Sequence, residues 1–193
     1  AIADEFPFVE FGILVSRSKS SKPRYPSWDW IMGILCGADR LNLSLHICGQ
    51  FVRDILSGNL TLPGDFTNPL FKRVQLNFPS EISTWNPDGF FDSLCCLRGV
   101  SKDTQFIFQI KGNVSEHYLD TIDVRNNPDF NYVNAVPIFD ASGGKGILPE
   151  SWPLPFFFDD HVEGLHYHGY SGGLNPSNLE EQLPLIAKAV DSV

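Results

Sequence analysis

Six short apolar runs, each ending in polar or glycine-rich residues, restrict this chain more than any other feature. They are Phe8–Ser16, Leu41–Cys48, Arg73–Phe78, Gln105–Ile110, Ala135–Phe139 and Gly164–Tyr170. Runs of this length between turn-forming residues read as strands. Helical patterns fall between them. Trp28–Leu35 follows an N-cap at Ser27 and meets a stop at Gly37, Gly49–Leu56 closes on Ser57-Gly58, and Asp88–Leu97 opens at Pro87. Ser115–Val124 has an amphipathic pattern, and Asn178 precedes Leu179–Val190 with Leu183, Ile186, Ala187 and Val190 on one face. Strand–helix alternation predicts an α/β fold with a parallel sheet, in one domain over 1–193. The first run is apolar enough to predict a strand buried on both faces.

Charge removes several function classes. With 14 Lys+Arg against 23 Asp+Glu, the net charge of -9 opposes the clustered positive charge that phosphate backbones require, so no nucleic-acid partner is expected. The apolar stretch Phe6–Val15 is broken by Pro7, Glu10 and Gly12 and falls short of the roughly 20 residues of a membrane span, so no membrane partner is expected. Four cysteines, Cys36, Cys48, Cys95 and Cys96, lack zinc-ribbon spacing. Cys95-Cys96 sits in an apolar stretch and reads as buried thiols on a helix. Ala1–Glu5 carries neither the basic start nor the apolar stretch of a secretory signal, and a cytoplasmic, reduced protein is the expectation.

Polar residues and glycines gather after the strand ends, at Arg17–Pro26, Gly49-Gln50, Lys111-Gly112-Asn113, Asp140–Gly146 and Ser171–Asn175. In parallel α/β folds that edge receives the ligand. Phe139-Asp140-Ala141-Ser142-Gly143-Gly144-Lys145-Gly146 ends a strand on an acid, and its glycines allow backbone N–H groups to approach an anion. Its spacing is neither that of a Walker loop nor GxGxxG. The plain alternative is a flexible loop with a surface lysine. Ser171-Gly172-Gly173-Leu174 ends the last strand on paired glycines before a helix, and two such turns after consecutive strands are the form of many barrel phosphate sites.

In this order the motifs resemble the phosphoribosylanthranilate isomerase family of (β/α)8 barrels from tryptophan biosynthesis. Lys22-Pro23-Arg24-Tyr25-Pro26-Ser27 is similar to the family's loop after strand 2. Val74-Gln75-Leu76-Asn77 is similar to its Val-Gln-Leu-His strand 4, with Asn for His. Phe139-Asp140-Ala141, Gly143-Gly144-Lys145-Gly146 and Trp152 look like its strand 6 and following loop, and Ser171-Gly172-Gly173-Leu174 looks like its strand 7 turn. The family's opening Lys-x-Cys-Gly and closing Ser-Ser-Gly-Val-Glu have no counterpart in register, since His46-Ile47-Cys48-Gly49 falls after the Arg24 loop. The expectation is therefore an incomplete or shortened TIM-type barrel of about six βα units, with sheet edges open to homo-oligomer formation.

The resemblance implies an Amadori, aldose–ketose isomerisation of a small phosphorylated sugar, with no cofactor. It puts Asp140 in the role of general acid and Arg24 on a substrate carboxylate. Cys48 is the one thiol at the active edge available as base, against a reading as a small buried hydrophobe. Gln75 and Lys111 are candidate substrate contacts, and Gly143, Gly144, Gly146, Gly172 and Gly173 candidate phosphate contacts. His46 shares a strand face with Cys48 and is expected as a hydrogen-bonded core histidine. His166 and His168, with Asp160 or Glu163, have metal-pair spacing, but a hydrogen-bonded strand pair is the default and no metal is expected. Phe156-Phe157-Phe158 reads as a core or interface plug. Two alternatives remain: a non-catalytic or differently active phosphate-ligand-binding barrel, and an assembly module completed by another chain.

Overall fold

A computed structural model describes residues 2–37, 41–59, 70–78, 87–98, 104–110, 134–140, 142, 144–155 and 168–191. In chain order these form α1 (Ile2–Glu5), β1 (Glu10–Ser16), α2 (Trp28–Leu35), β2 (Asn42–Cys48) and α3 (Gln50–Leu56). They continue with β3 (Phe71–Leu76), α4 (Pro87–Arg98), β4 (Gln105–Ile110), β5 (Asn134–Asp140), β6 (Gly169–Ser171) and α5 (Leu179–Asp191). The anticipated helix at 115–124 and the start of the last strand at 164–168 fall outside the described residues, apart from His168.

The six strands make one sheet in the order β1-β2-β3-β4-β5-β6, and every pair is parallel. Each strand lies beside its sequence neighbours, so the sheet winds in one direction and never reverses as a doubly wound sheet does. Such a sheet carries its helices on one face and curls; here it forms a curled half-barrel.

Side-chain alternation divides the sheet into two chemically different faces. The outer face turns Ile13, Val15, Leu43, Leu45, Ile47, Val74, Leu76, Phe106 and Phe108 toward the helices. There Ile31 and Leu35 of α2, Val52, Ile55 and Leu56 of α3, and Phe90, Leu94 and Leu97 of α4 complete the hydrophobic core. Ser27 Oγ accepts from Trp30 N at 3.3 Å, so α2 begins where its N-cap places it. The inner face carries Ser44, His46, Cys48, Arg73, Gln75, Gln105, Gln109 and Asp140. Their register across β2–β5 sets them in adjacent rows. The polar side chains of the inner face, interspersed with Leu14, Ile107 and Ile138, and the apolar outer face place the core outside the curve and the site within it.

Three expectations change. β1 is not buried on both faces. Ile13 and Val15 are buried on the outer side, but Gly12 is exposed and Leu14 half-buried, because the helix-backed core lies on the outer face. Cys95 is half-buried and Cys96 exposed, and no disulfide joins any of the four cysteines among the described residues. Successive helical residues point about 100° apart, and α4 gives its buried face to Phe90, Ser93, Leu94 and Leu97. On α5 the supposed core stripe faces outward, with Leu183 55% and Val190 43% exposed while Gln182 is buried. The Trp152 indole Nε1, itself buried, donates to Gln182 Oε1 at 3.1 Å and turns that polar residue inward. Hydrophobic periodicity does not register that requirement.

Candidate functional site

The C-terminal ends of the strands carry three groups of polar side chains. The first lies where β5 gives way to its loop. Asp140 is 5% exposed, and both of its carboxylate oxygens accept hydrogen bonds. Oδ1 accepts from Ser142 N at 3.1 Å and from Ser142 Oγ at 2.7 Å; Oδ2 accepts from Gln109 Nε2. Ser142 Oγ in turn accepts from Gly146 N at 3.2 Å, so the acid is the root of the loop that follows it.

That loop docks on the turn after β6. Gly172 and Gly173 hold φ of 115° and 68°. A Cβ added to Gly172 would stand 3.2 Å from the Ile147 carbonyl oxygen and 3.5 Å from Asp140 Oδ1, and one added to Gly173 would lie 2.8 Å from the Ile147 carbonyl carbon. Both the backbone conformation and the close approach require glycine. The paired glycines that suggested an anion site thus have a packing role, joining two consecutive βα loops at Asp140. The carbonyl of Gly173 accepts from Asn175 Nδ2 at 3.1 Å and Asn178 Nδ2 at 2.9 Å, which fixes the turn before α5. Gly144 and Gly146 also have positive φ and are exposed. Gly143 and Lys111 lie outside the described residues.

The second group joins β2 to β3. Asn77 Nδ2 donates to Cys48 Sγ at 2.9 Å, and Gln75 Nε2 donates to Asn77 Oδ1 at 2.7 Å. Asn77 therefore holds the thiol, and Gln75 holds Asn77. His46, on the same face, makes a 3.2 Å hydrogen bond between Nε2 and Ser44 Oγ, and its ring fills the space over Gly12. Burial lowers the His46 pKa below its ordinary value, against the opposing negative charge of Glu10. Glu10 is itself ion-paired with Arg73 Nε at 2.6 Å across β2.

The third group is the β1–α2 loop. Between Arg17 and Pro26 it holds four of the chain's 14 basic residues and no carboxylate; Arg17 is ion-paired with Asp54 at 3.0 Å, and Lys19, Lys22 and Arg24 follow it. Lys22, Arg24, Tyr25, Pro26 and Trp30 line a cavity of about 370 Å³ with Gly12, Ile13 and Leu14 of β1. Arg24 has a φ of 72°, a left-handed conformation that costs a non-glycine residue on the order of 1 kcal/mol.

The structure thus joins Gln75 to Cys48, and Asp140 to Gly172 and Gly146. Arg24 stands apart from both groups at the β1 edge. Cys48 and Asp140 share the inner face, with β3 and β4 between them. Three contributors escaped the sequence reading: Gln109, Ser142 and Asn77 in its role as thiol partner. Gln109 was within reach, since Gln105, Ile107 and Gln109 alternate with Phe106, Phe108 and Ile110 and so share the inward side.

Among the described residues, no group of three or more His, Cys, Asp and Glu side chains is placed to hold a metal, and no helix is long and apolar enough to cross a membrane. Asp160, Glu163 and His166 are outside the described set, as is the Phe156–Phe158 run. No family model, curated protein or solved structure matches the chain.

Proposed function

We propose that the half-barrel is a phosphoribosylanthranilate isomerase-like TIM-barrel unit that binds a phosphorylated sugar at its C-terminal edge and isomerises it from aldose to ketose. The observation that carries this reading is the meeting of the two glycine loops at Asp140. A buried carboxylate at the end of one strand lies beside a positive-φ glycine pair at the end of the next, at the edge where parallel sheets receive their ligands. The basic β1–α2 loop supports an anionic ligand, and the strained Arg24 fits a guanidinium held in place for a carboxylate.

In the proposed reaction a proton passes to the furanose ring oxygen, the C–O bond opens to an iminium, and the C2 proton leaves to give an enolamine that tautomerises to the ketose. Asp140 supplies the first proton and Cys48 accepts the second. The Asn77 amide on Cys48 is the kind of donor a thiolate takes.

A second reading, a phosphate-ligand-binding barrel without isomerase activity, is favoured by one feature. Both oxygens of Asp140 already accept hydrogen bonds from the protein, the arrangement of a loop anchor. Steady-state kinetics on phosphoribosylanthranilate separates the two. Asp140→Asn should lower kcat by roughly 10²–10⁴ with phosphate affinity unchanged if it is the acid. Near-wild-type turnover in that variant ends the acid assignment. Absence of turnover in the wild-type chain, with phosphate still bound, selects the binding reading.

A further inference from the structure

Gln109 lies on the inner face of β4, beside Asp140, and is 6% exposed. Its Nε2 donates to Asp140 Oδ2, which leaves Oε1 turned the other way. The other end, Oε1, is buried and has no hydrogen-bond partner among the described residues. Buried acceptors are nearly always satisfied, and one left open beside a candidate site calls for a donor from outside the protein. Ser142, Ser171 and Gly172, at the strand end next to Asp140, are half-buried. Ile107 and Ile138 flank it on the same face and offer no donor.

We propose that Gln109 Oε1 accepts a hydrogen bond from a hydroxyl of a polyhydroxylated ligand, a sugar ring or its open chain, seated against the inner face next to Asp140. A neutral amide oxygen suits a neutral hydroxyl donor. The hydroxyl completes the pairing that begins at Ser142 and passes through Asp140 to Gln109. Gln109 is thus a binding residue that reads the sugar. The inference rests on the sugar-phosphate reading and deepens it by assigning hydroxyl recognition to β4.

The test follows the Gln109 side-chain amide by ¹⁵N NMR in the wild-type chain during titration with ribose 5-phosphate and, separately, inorganic phosphate. Ribose 5-phosphate should shift the Gln109 Nε2H₂ pair saturably, and inorganic phosphate should leave it in place. Gln109→Met, which keeps the length and removes both the acceptor and the donor to Asp140, should bind ribose 5-phosphate at least about fivefold more weakly with phosphate affinity within about twofold, the scale of a lost hydrogen bond. Saturable ribose 5-phosphate binding that leaves the Gln109 pair unmoved overturns the inference and spares the phosphate reading. If neither anion binds, the phosphate reading fails, and D-ribose at high concentration decides the hydroxyl assignment: an unmoved Gln109 pair overturns that too. The wild-type shift needs no variant, so a misfolded Gln109→Met leaves the test intact.

Discussion

Gly12 and His46 offer the sharpest test of the inner face. A Cβ on Gly12 would lie 2.7 Å from His46 Nε2 and 2.9 Å from Cε1, well inside normal contact. Gly12 has ordinary strand geometry, so Ala there should in isolation stabilise by about 0.5–1 kcal/mol through reduced unfolded-chain entropy. The imidazole blocks that gain. Accommodating the methyl forces the ring aside at an overpacking cost of about 1–3 kcal/mol. It also breaks the 3.2 Å bond to buried Ser44 Oγ, worth roughly 1 kcal/mol more. Gly12→Ala should therefore destabilise the wild type by about 1–3 kcal/mol, yet stabilise a His46→Ala background by about 0.5–1 kcal/mol. The coupling energy is about 1.5–4 kcal/mol, read from urea unfolding of the four proteins in a double-mutant cycle. Equal effects of Gly12→Ala in both backgrounds, within about 0.5 kcal/mol, would refute the packing of His46 over the edge strand.

Two further outcomes follow from local geometry. Gly173→Ala combines a left-handed φ of 68° with backbone overlap at Ile147 and should cost about 2–4 kcal/mol, whereas Gly144→Ala, with φ of 84° and open space, should cost only about 1–2 kcal/mol. Equal urea midpoints for the two variants would show that the loop after β5 is not docked on the turn after β6. For His46, burial sets the folded pKa below the unfolded value of 6.5, so as pH falls the unfolded chain takes up the proton first. The associated stability is complete above about pH 6.5 and drains away until the folded imidazole is also charged. His46→Gln should flatten that section of the stability–pH curve, and an unchanged slope would contradict the burial.

Strand positions were legible because each run pairs an apolar outward set with turn-forming residues at its end. β4 spans the whole run Gln105–Ile110, a short β-branched and aromatic segment with Gln at positions 105 and 109. The helices were legible where caps were local, as at Ser27. What escaped depended on partners distant in sequence. Nothing near Gln182 announces that an indole 30 residues away will claim it. The edge position of β1 was equally invisible, because an apolar run states what it is able to bury and not how many neighbours it has. At the site, Asp140 and Gly172–Gly173 stood out through glycine and strand-end position. The contact between them, and the partners Ser142 and Gln109, are matters of loop geometry that linear spacing does not encode.

The consecutive strand order has a kinetic consequence. Paired residues of neighbouring strands, such as Glu10 and Asn42, Leu43 and Phe71, Arg73 and Gln105, Gln105 and Asn134, and Ile138 and Gly169, are 28–32 positions apart. Loop closure depends on the logarithm of length, so every pairing in this sheet faces nearly the same entropic toll. Loop length therefore cannot rank the pairings in time, and what each one buries must. During synthesis, β1 to β4 can zip in the order they emerge, each new strand meeting a neighbour already backed by its helices. β6, with three residues and no fully buried side chain, should join last and leave first. The glycine turn it carries toward Asp140 would then be assembled only when the rest of the sheet is in place.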